Sequence, residues 1–340
     1  MTVDTDLSTE LLRVLRTATA STDLSYATPP RPLTGGFWAE LFAFSLAAPP
    51  RGWPRELVLR LMPDPASARK ETIVQAAVAA AGYPTPVVRA SGGPDSGLGR
   101  AFMVMDRASG AHLLSGLSGA GAIASAMPAL GQIPGLLAVA MASLHEQDPR
   151  LVRDQLGCDM PVTVSGLLAM LHAAASEYRR PDLTAAAQWL ADHPPPPAPE
   201  VICHGDLHPF NVLVDGASFT VLDWSSAILA PRAYDVAFTS LLLAEPPLAV
   251  PRATRPAVRG AGAWLARRFA VRYQRAAGAR VDPRELRWHQ GLGCLRALTE
   301  VAGWSQDQLA GARAGHPWLR SGPAFARRLT ALTGSNVRAR

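Results

Sequence analysis

An aspartate, an asparagine and a second aspartate lie close together in the middle of the chain, each at the edge of an apolar segment. Asp206 and Asn211 belong to a polar loop that follows residues 201–203, and Asp223 ends the apolar residues 219–222. Carboxylate and amide oxygens are ligands that Mg²⁺ prefers, and a carboxylate beside a hydroxyl group can accept or orient its proton. These residue types at this spacing favour phosphoryl transfer from a magnesium-bound donor to a hydroxyl group.

The segments around these residues predict how they are positioned. Residues 212–214 and 219–222 are apolar and flank the turn residues Asp215 and Gly216, a pattern typical of a β-hairpin. Asn211 and Asp223 would then lie at the open end of the hairpin, close in space. A surface loop with incidental acids is the alternative, and the agreement of residue type, spacing and context disfavours it.

A strand-rich segment precedes this region. Residues 33–46 contain a glycine turn and an apolar strand, and residues 56–62 form a second apolar strand with Arg60 embedded in it. A buried cation costs free energy unless an anion lies opposite. The helix expected over residues 67–81 carries Glu71, so we expect an Arg60–Glu71 pair that turns the arginine toward a nucleotide phosphate. A surface arginine with only its stem buried is the alternative.

The remaining pattern is mainly helical. Prolines at 29–32 are expected to break the chain, and a strand over residues 101–105 has a polar exit that could offer backbone groups to a base edge. Helices are expected over residues 8–20, 134–146, 163–180, 182–191, 236–244, 257–277, 283–303 and 323–333. Strands followed by helices predict the α+β class.

Composition limits the compartment and the type of protein. The 340 residues are 48% hydrophobic, which indicates a globular chain. Three widely spaced cysteines disfavour a disulfide framework or a zinc site, and residues 1–10 lack a secretory signal pattern. Residues 113–144 carry no charge, but their glycines and prolines favour buried helices over a membrane span. We therefore expect a cytoplasmic protein that does not associate with a membrane.

Positive charge is concentrated late in the chain. The formal net charge is +6, Lys70 is the sole lysine, and the residues beyond Asp235 include 17 arginines and five acids. Such a basic segment can indicate a nucleic-acid partner. Because the arginines are dispersed over helical patterns without interleaved aromatic residues, a solvated surface is the favoured interpretation, and no nucleic-acid partner is expected.

Three motifs resemble those of one family. Residues 204–211 (HGDLHPFN) resemble the catalytic loop of the aminoglycoside phosphotransferase family, a branch of the protein-kinase-like superfamily that includes macrolide and choline kinases. Residues 222–224 (LDW) resemble its metal-binding segment, and residues 233–237 (AYDVA) resemble the motif whose aspartate braces the catalytic loop. Residues 144–148 also resemble a helix end of the family. The resemblance extends over about residues 33–300.

This resemblance implies a bilobal, kinase-like fold. Residues 1–108 would form a nucleotide-binding lobe with a small antiparallel sheet, and residues 109–340 a larger, mostly helical lobe with the catalytic loop, the metal segment and the acceptor site. The resemblance implies Asp206 as the catalytic base. It makes Asn211 and Asp223 ligands of Mg²⁺.

Further roles follow from the same resemblance. His204 and Asp235 would support the catalytic loop, and a helix N-cap is another interpretation of Asp235. In the first lobe, the resemblance implies nucleotide contacts from Gly35 and Gly36 in the phosphate loop, Arg60 in place of the usual lysine, Glu71 as its partner, Met105 behind the adenine, and a hinge from Asp106 to Ala108. ATP and GTP are both open as donors. Two departures from the family pattern are the arginine itself, which differs from lysine in reach and geometry, and the bulky Phe37 and Trp38 beside the glycine loop.

The acceptor is expected not to be a polycation. Aminoglycosides need clustered carboxylates, whereas the C-terminal region is rich in arginine. We expect a neutral, apolar or anionic hydroxyl compound such as a macrolide-like natural product, a sugar derivative or an acyl metabolite. Trp264, Trp288, Trp304 and Trp318 would line its pocket or belong to the core. An aminoglycoside 3'-type phosphotransferase, a nucleotide-binding pseudokinase and a protein kinase are alternatives. The oligomeric state stays open.

Overall fold

The computed structural model describes residues 5–33, 39–112, 122–157, 163–246, 252–306 and 316–339. The chain divides into two compact units. The first consists of Met1–Ala111, Asp154–Leu156 and Leu213–Ser226, and the second of His112–Arg153, Gly157–Val212 and Ala227–Arg340. The lobe boundary expected after residue 108 stays a prediction.

Helices and antiparallel strands make up both units, which confirms the α+β class. The strands are β1 Tyr26–Pro32, β2 Glu40–Leu46, β3 Glu56–Met62, β4 Val88–Gly92, β5 Ala101–Asp106, β6 Ala111–His112, β7 Glu200–Cys203, β8 Val212–Asp215, β9 Ser218–Val221 and β10 Ile228–Pro231. The helices are α1 Thr5–Thr19, α2 Pro65–Ala80, α3 Ala122–His145, α4 Arg150–Leu156, α5 Val164–Glu177, α6 Pro181–Asp192, α7 Arg232–Ala244, α8 Arg255–Ala276, α9 Pro283–Gln306 and α10 Pro317–Thr333.

The first unit is built on a sheet with the strand order β1-β2-β3-β5-β4, and its neighbouring strands are antiparallel. Side chains alternate between the faces of a strand, so β3 serves two cores. Leu57, Leu59 and Leu61 pack with α1 on one face. On the other face, Met62 packs with Ala68 of α2. Arg60 shares this second face with α2, whose buried residues include Glu71.

Strand β1 corrects the expectation that the prolines at 29–32 break the chain. Tyr26–Pro32 pairs with β2, with Arg31 opposite Ala43 and Pro32 opposite Phe42. The strand lies at the edge of the sheet. A proline is tolerated at an edge because a missing N–H on the outer side removes no ladder hydrogen bond.

The second unit is mostly helical and has its own core, in which α5, α6, α7, α9 and α10 pack around β7 and β10. Helix α3 begins at Ala122, so the expected start at Pro134 is wrong. Its packing along α8 compensates for the hydrogen bonds that its internal prolines remove. Over the described part of the chain, no helix has the length and apolar character that a membrane crossing requires.

A buried histidine lies in this helical core. His289 of α9 is 2% exposed, and its two ring nitrogens form no hydrogen bond with any described residue. The rings of Tyr234 and Trp288 contact its imidazole edge-on. Burial lowers the pKa of His289 to about 4, so the folded protein keeps this side chain neutral.

We predict that His289 makes the protein less stable in acid. Below pH 6.5 the unfolded chain binds a proton at His289 that the folded chain does not bind, so its contribution to stability falls between pH 6.5 and pH 4. Between pH 7 and pH 5, the free energy of unfolding should therefore fall by about 2 kcal/mol less in His289→Leu than in the wild type. Urea unfolding at the two pH values measures this difference. Exposed His193→Leu is the control. Equal pH dependence of His289→Leu and the wild type would contradict the prediction.

Candidate active site

Arg60 is held in the middle of the sheet of the first unit. It lies opposite Leu41 of β2 and Met103 of β5 and is only 7% exposed. The alternative of a snorkelling surface arginine is therefore wrong. Its Nη2 atom is 3.2 Å from a carboxylate oxygen of Glu71 and 3.2 Å from Oδ1 of Asp223. The Arg60–Glu71 pair expected from the sequence is present, and Asp223 joins it.

Glu71 reaches Arg60 because α2 starts at a defined residue. Asp64 caps the helix by accepting hydrogen bonds from the backbone N–H groups of Ala66 and Ser67. The buried residues of α2 include Ala68, Glu71 and Gln75, which share the inner face. Burial raises the pKa of Glu71 to about 7 against the opposing charge of Arg60.

Asp223 stands in a strained backbone conformation. Its φ is +65°, in the left-handed region that few residues other than glycine adopt, aspartate among them. Ser225 stabilises the turn by donating to Asp223 Oδ1 from its hydroxyl group at 2.6 Å and from its N–H at 3.3 Å. Buried Trp224 donates its indole N–H to Thr85. These contacts fix the carboxylate of Asp223 beside Arg60.

The expected hinge, Asp106 to Ala108, begins at the last residue of β5. Gln75 donates to the sulfur of Met105 at 3.4 Å, and Arg89 forms two hydrogen bonds with the carboxylate of Asp106. The backbone N–H of Asp106 donates to Val87, and that of Arg107 donates to Glu56. Both N–H groups are therefore used within the sheet. Residues 106–108 consequently have fewer free backbone groups to offer to a nucleotide base. Gly35, Gly36, Phe37 and Trp38 lie outside the described residues.

In the second unit, the buried carboxylate of Asp235 organises the polar loop. Its oxygens accept the N–H of His204 at 2.8 Å and the N–H of Gly205 at 2.7 Å, and the His145 ring lies 3.2 Å away. Burial favours the neutral acid, but the His145 hydrogen bond, the nearby imidazoles and the backbone N–H groups hold the pKa of Asp235 below its usual value. Helix α7 begins at Arg232 with Pro231 as its N-cap, so the N-cap interpretation of Asp235 is wrong.

Four side chains bond the backbone of the Gly205–Asp206 dipeptide. Asp235 accepts the N–H of Gly205, and Arg296 donates to its carbonyl oxygen at 2.8 Å. The Nδ1 atom of His204 accepts the N–H of Asp206 at 3.3 Å, and Asn211 donates to its carbonyl oxygen at 2.9 Å. All four polar backbone groups are satisfied, although Gly205 has a left-handed φ of +77° and no side chain to restrain it. The backbone from which the Asp206 side chain extends is therefore held at each of its polar groups.

The Asp206 carboxylate is about one-quarter exposed, with 24% of the side chain accessible. The Nε2 atom of His208 is 3.6 Å from one oxygen, and the Nη2 atom of Arg296 is 4.0 Å from the other. An accessible carboxylate on a well-held backbone can accept a proton from a hydroxyl group.

Asn211 suits a hard cation within the same loop. Its amide nitrogen is used in the hydrogen bond to Asp206, so Oδ1 is the atom able to bind a metal ion. Asp223 offers a carboxylate in the first unit. Amide and carboxylate oxygens are both donor types that Mg²⁺ prefers, so each of these residues by itself fits that ion.

A second group of metal-binding residue types lies behind the loop. His145, Cys203 and Asp235 are buried with their ligand atoms within 4.8 Å of one another. Burial raises the pKa of Cys203 well above its usual value, which disfavours the thiolate that a metal needs. Both oxygens of Asp235 already accept backbone hydrogen bonds. We interpret this group as a support for the loop.

The sequence interpretation missed Arg296. It stands among apolar and small residues of α9, and a lone cation in an apolar segment is the same signal that identified Arg60. The four tryptophans divide between environments. Trp288 and Trp304 are buried, Trp318 packs at the margin of the core, and Trp264 is 50% exposed. Trp264 is thus neither a core residue nor part of an enclosed pocket.

Comparison with known proteins identifies relatives of this fold. A family model described as "phosphotransferase enzyme family" matches residues 43–289. A structure from Ralstonia eutropha JMP134, described as a candidate aminoglycoside phosphotransferase, is 18% identical, covers 96% of each chain and has a TM-score of 0.64. A choline/ethanolamine kinase family protein from Mesorhizobium loti is 19% identical over 96% of this chain and 94% of that chain, with a TM-score of 0.55.

A macrolide 2'-phosphotransferase type I is 17% identical over the whole of both chains, with a TM-score of 0.55. No curated protein matches the chain. At these identities the structures show a shared fold, which confirms the expected kinase-like architecture.

We predict that Glu71 stabilises the first unit through Arg60. Glu71→Ala should lower the free energy of unfolding by about 1–3 kcal/mol because it leaves the buried guanidinium with Asp223 as its remaining ionic partner. Glu10→Ala removes an exposed partner of Arg13 and should change stability by less than about 0.5 kcal/mol. Urea unfolding at pH 8 measures both, and equal effects would contradict the assignment.

A larger loss is expected at Asp235. Asp235→Ala leaves the buried N–H groups of His204 and Gly205 without their acceptor and should cost about 3–5 kcal/mol. Asp148 also accepts a backbone N–H and an arginine, but at the surface, so Asp148→Ala is the matched control. Thermal unfolding compares the two, and a loss below 1 kcal/mol for Asp235→Ala would show that the loop does not depend on this carboxylate.

Proposed function

The chain belongs to the phosphotransferase enzyme family, and from this premise we propose that it is a small-molecule kinase that transfers the γ-phosphate of ATP or GTP to a hydroxyl group. The observation that carries the proposal is the Asp206 carboxylate, which is accessible while every polar group of its dipeptide backbone is bonded. In this role Asp206 orients the acceptor hydroxyl and accepts its proton. The loose transition state of phosphoryl transfer makes such positioning the main contribution of the protein.

The assigned metal and donor residues have supporting contacts within their own units. We assign Mg²⁺ to the Oδ1 atom of Asn211 and the carboxylate of Asp223; when bound, the ion would neutralise charge on the phosphates. Arg60 is held by Glu71 and is assigned to a phosphate of the nucleotide. Met105 and Asp106–Ala108 are assigned to the base, and Gly35 and Gly36 to the phosphate loop. These roles come from the family resemblance.

The charge of the second unit favours an acceptor that is not a polycation. Helix α8 has six arginines and no acidic residue, and the guanidinium of Arg296 lies beside the Asp206 carboxylate. A polycation at Asp206 would meet the positive charge of Arg296 at short range, where salt screens it least. Neutral, apolar or anionic hydroxyl compounds meet no such barrier. A macrolide, a sugar derivative and an acyl-linked metabolite are the classes to test.

We predict nucleotide turnover that requires Mg²⁺ and an acceptor from these classes. Formation of ADP or GDP is measured with a panel of hydroxyl compounds, including a polycationic aminoglycoside for comparison. Asp206→Ala should lower the rate at least about 100-fold, the scale of general base catalysis. Asp192→Ala removes an exposed aspartate of the same unit and should leave the rate unchanged.

Two outcomes would overturn the proposal. The first is that neither nucleotide binds at millimolar concentration. The second is that Asp206→Ala, while folded, turns over nucleotide at the wild-type rate. Preference for the aminoglycoside would retain the kinase and reject the acceptor class.

A further inference from the structure

Arg296 is a buried cation whose place in α9 is not explained by helix packing alone. It is 6% exposed in the sequence Gly293-Cys294-Leu295-Arg296-Ala297-Leu298, whose other members are small or apolar. Burying a guanidinium is unfavourable unless its donors find acceptors. A methionine or leucine would fill this position at a lower free-energy cost, so the presence of a charge indicates a role beyond packing.

The contacts of Arg296 converge on the catalytic loop. Its Nη1 atom donates to the carbonyl oxygen of Gly205 at 2.8 Å and to the Tyr234 hydroxyl at 3.3 Å. Its Nη2 atom is 4.0 Å from Oδ1 of Asp206. Nε and Nη2 are buried and form no hydrogen bond with the described residues. The guanidinium thus lies against the loop although two of its nitrogens lack hydrogen bonds to the described residues.

Two aromatic rings hold the guanidinium in this position. Its central carbon lies 4.2 Å from the centroid of the Phe238 ring and 5.5 Å from that of Trp318. Cations are attracted to the faces of aromatic rings, and arginine stacks on them with its plane fixed. Phe238 belongs to α7, Trp318 to α10 and Arg296 itself to α9. Three helices therefore hold the guanidinium that donates to the carbonyl oxygen of Gly205.

We propose that Arg296 is a positioning residue for Asp206, a role that rests on the proposed function. The N–H of Gly205 is held by the buried anion Asp235 and its carbonyl by the buried cation Arg296. Gly205 is therefore held between opposite charges, one at its N–H and one at its carbonyl oxygen. This arrangement sets the direction in which the Asp206 side chain leaves the backbone, and the nearby Nη2 restrains its carboxylate.

This role differs from a purely structural one in what it affects. Because the clamp acts on the group that receives the hydroxyl proton, its loss should lower kcat and leave the KM for nucleotide nearly unchanged. Arg180 offers a matched comparison in the same unit. It too donates to a backbone carbonyl, that of Arg338, and to a carboxylate, that of Asp182, but it has no contact with the loop.

The experiment compares Arg296→Met, Arg296→Lys and Arg180→Met with the wild type. Steady-state kinetics use the magnesium complex of ATP or GTP with the most active acceptor of the panel, and thermal unfolding reports the folded fraction. Arg296→Met should lower kcat by about 100-fold, the scale of a small misplacement of a catalytic group. The KM for nucleotide should change by less than about 3-fold, because this constant reports ground-state binding, which the position of Asp206 does not alter. Arg296→Lys should recover part of kcat, and Arg180→Met should keep it.

A double-mutant cycle with Asp206→Asn tests whether Arg296 acts through Asp206. When Asp206→Asn is present, Arg296→Met should lower kcat by less than about 3-fold further, because coupled residues are not additive. Full multiplication of the two effects would overturn the proposal, as would wild-type kcat in folded Arg296→Met or an equal kcat loss in Arg180→Met.

If Arg296→Met does not fold, Arg296→Lys decides: lowered kcat at wild-type nucleotide KM supports the proposal, and unchanged kcat overturns it. Wild-type protein without nucleotide turnover is a different result, because it rejects the proposed function before Arg296 is tested.

Discussion

The hydrogen bonds that the buried Asp235 carboxylate accepts are the interaction on which the candidate site depends. A charge this deep in a protein is tolerated when its oxygens are bonded, and Asp235 meets that condition with the N–H groups of His204 and Gly205. The same bonds determine the path of the backbone where it leaves β7. The N–H groups of His204 and Gly205 therefore satisfy the buried anion and also hold the backbone that leads to the partly exposed carboxylate of Asp206.

Both units contain buried ionic groups beside candidate site residues. In the first unit, Arg60 is surrounded by sheet and helix and is neutralised by Glu71 and Asp223. In the second, Asp235 and Arg296 bond opposite ends of Gly205. Apolar residues of similar volume would often make such interiors more stable. The charged residues are consistent with the family's phosphotransferase chemistry, which depends on the orientation of a few groups.

Much of this arrangement could be predicted from the sequence. Strand β3 was predicted over the residues that form it because an apolar run between turns is a strong local signal, and Arg60 within it indicated Glu71. The edge strand β1 was missed because its prolines disfavour strands in general, and only tertiary position shows that they lie at an edge. Helix α3 was predicted too short for a similar reason, since packing on α8 outweighs its prolines.

The contacts of the loop over residues 204–211 were the least predictable. Arg296 follows Gly205 by 91 residues, and no local pattern connects the two. Asp235 accepts hydrogen bonds from the loop backbone, but its position within the first turn of α7 depends on where that helix starts after Pro231. The hydrogen bonds used by the backbone of Asp106 and Arg107 likewise depend on strand register, which periodicity alone does not set.

The left-handed backbone of Asp223 also limits how this sequence can evolve. Asparagine and glycine are the residues that tolerate such a conformation best, so the replacements that preserve the turn are ones that remove the negative charge. Glutamate would keep the charge but strain the backbone. Lineages that drift at this position would therefore tend to yield well-folded descendants without the carboxylate. A chain with the same turn and no carboxylate at this position is therefore a single substitution away.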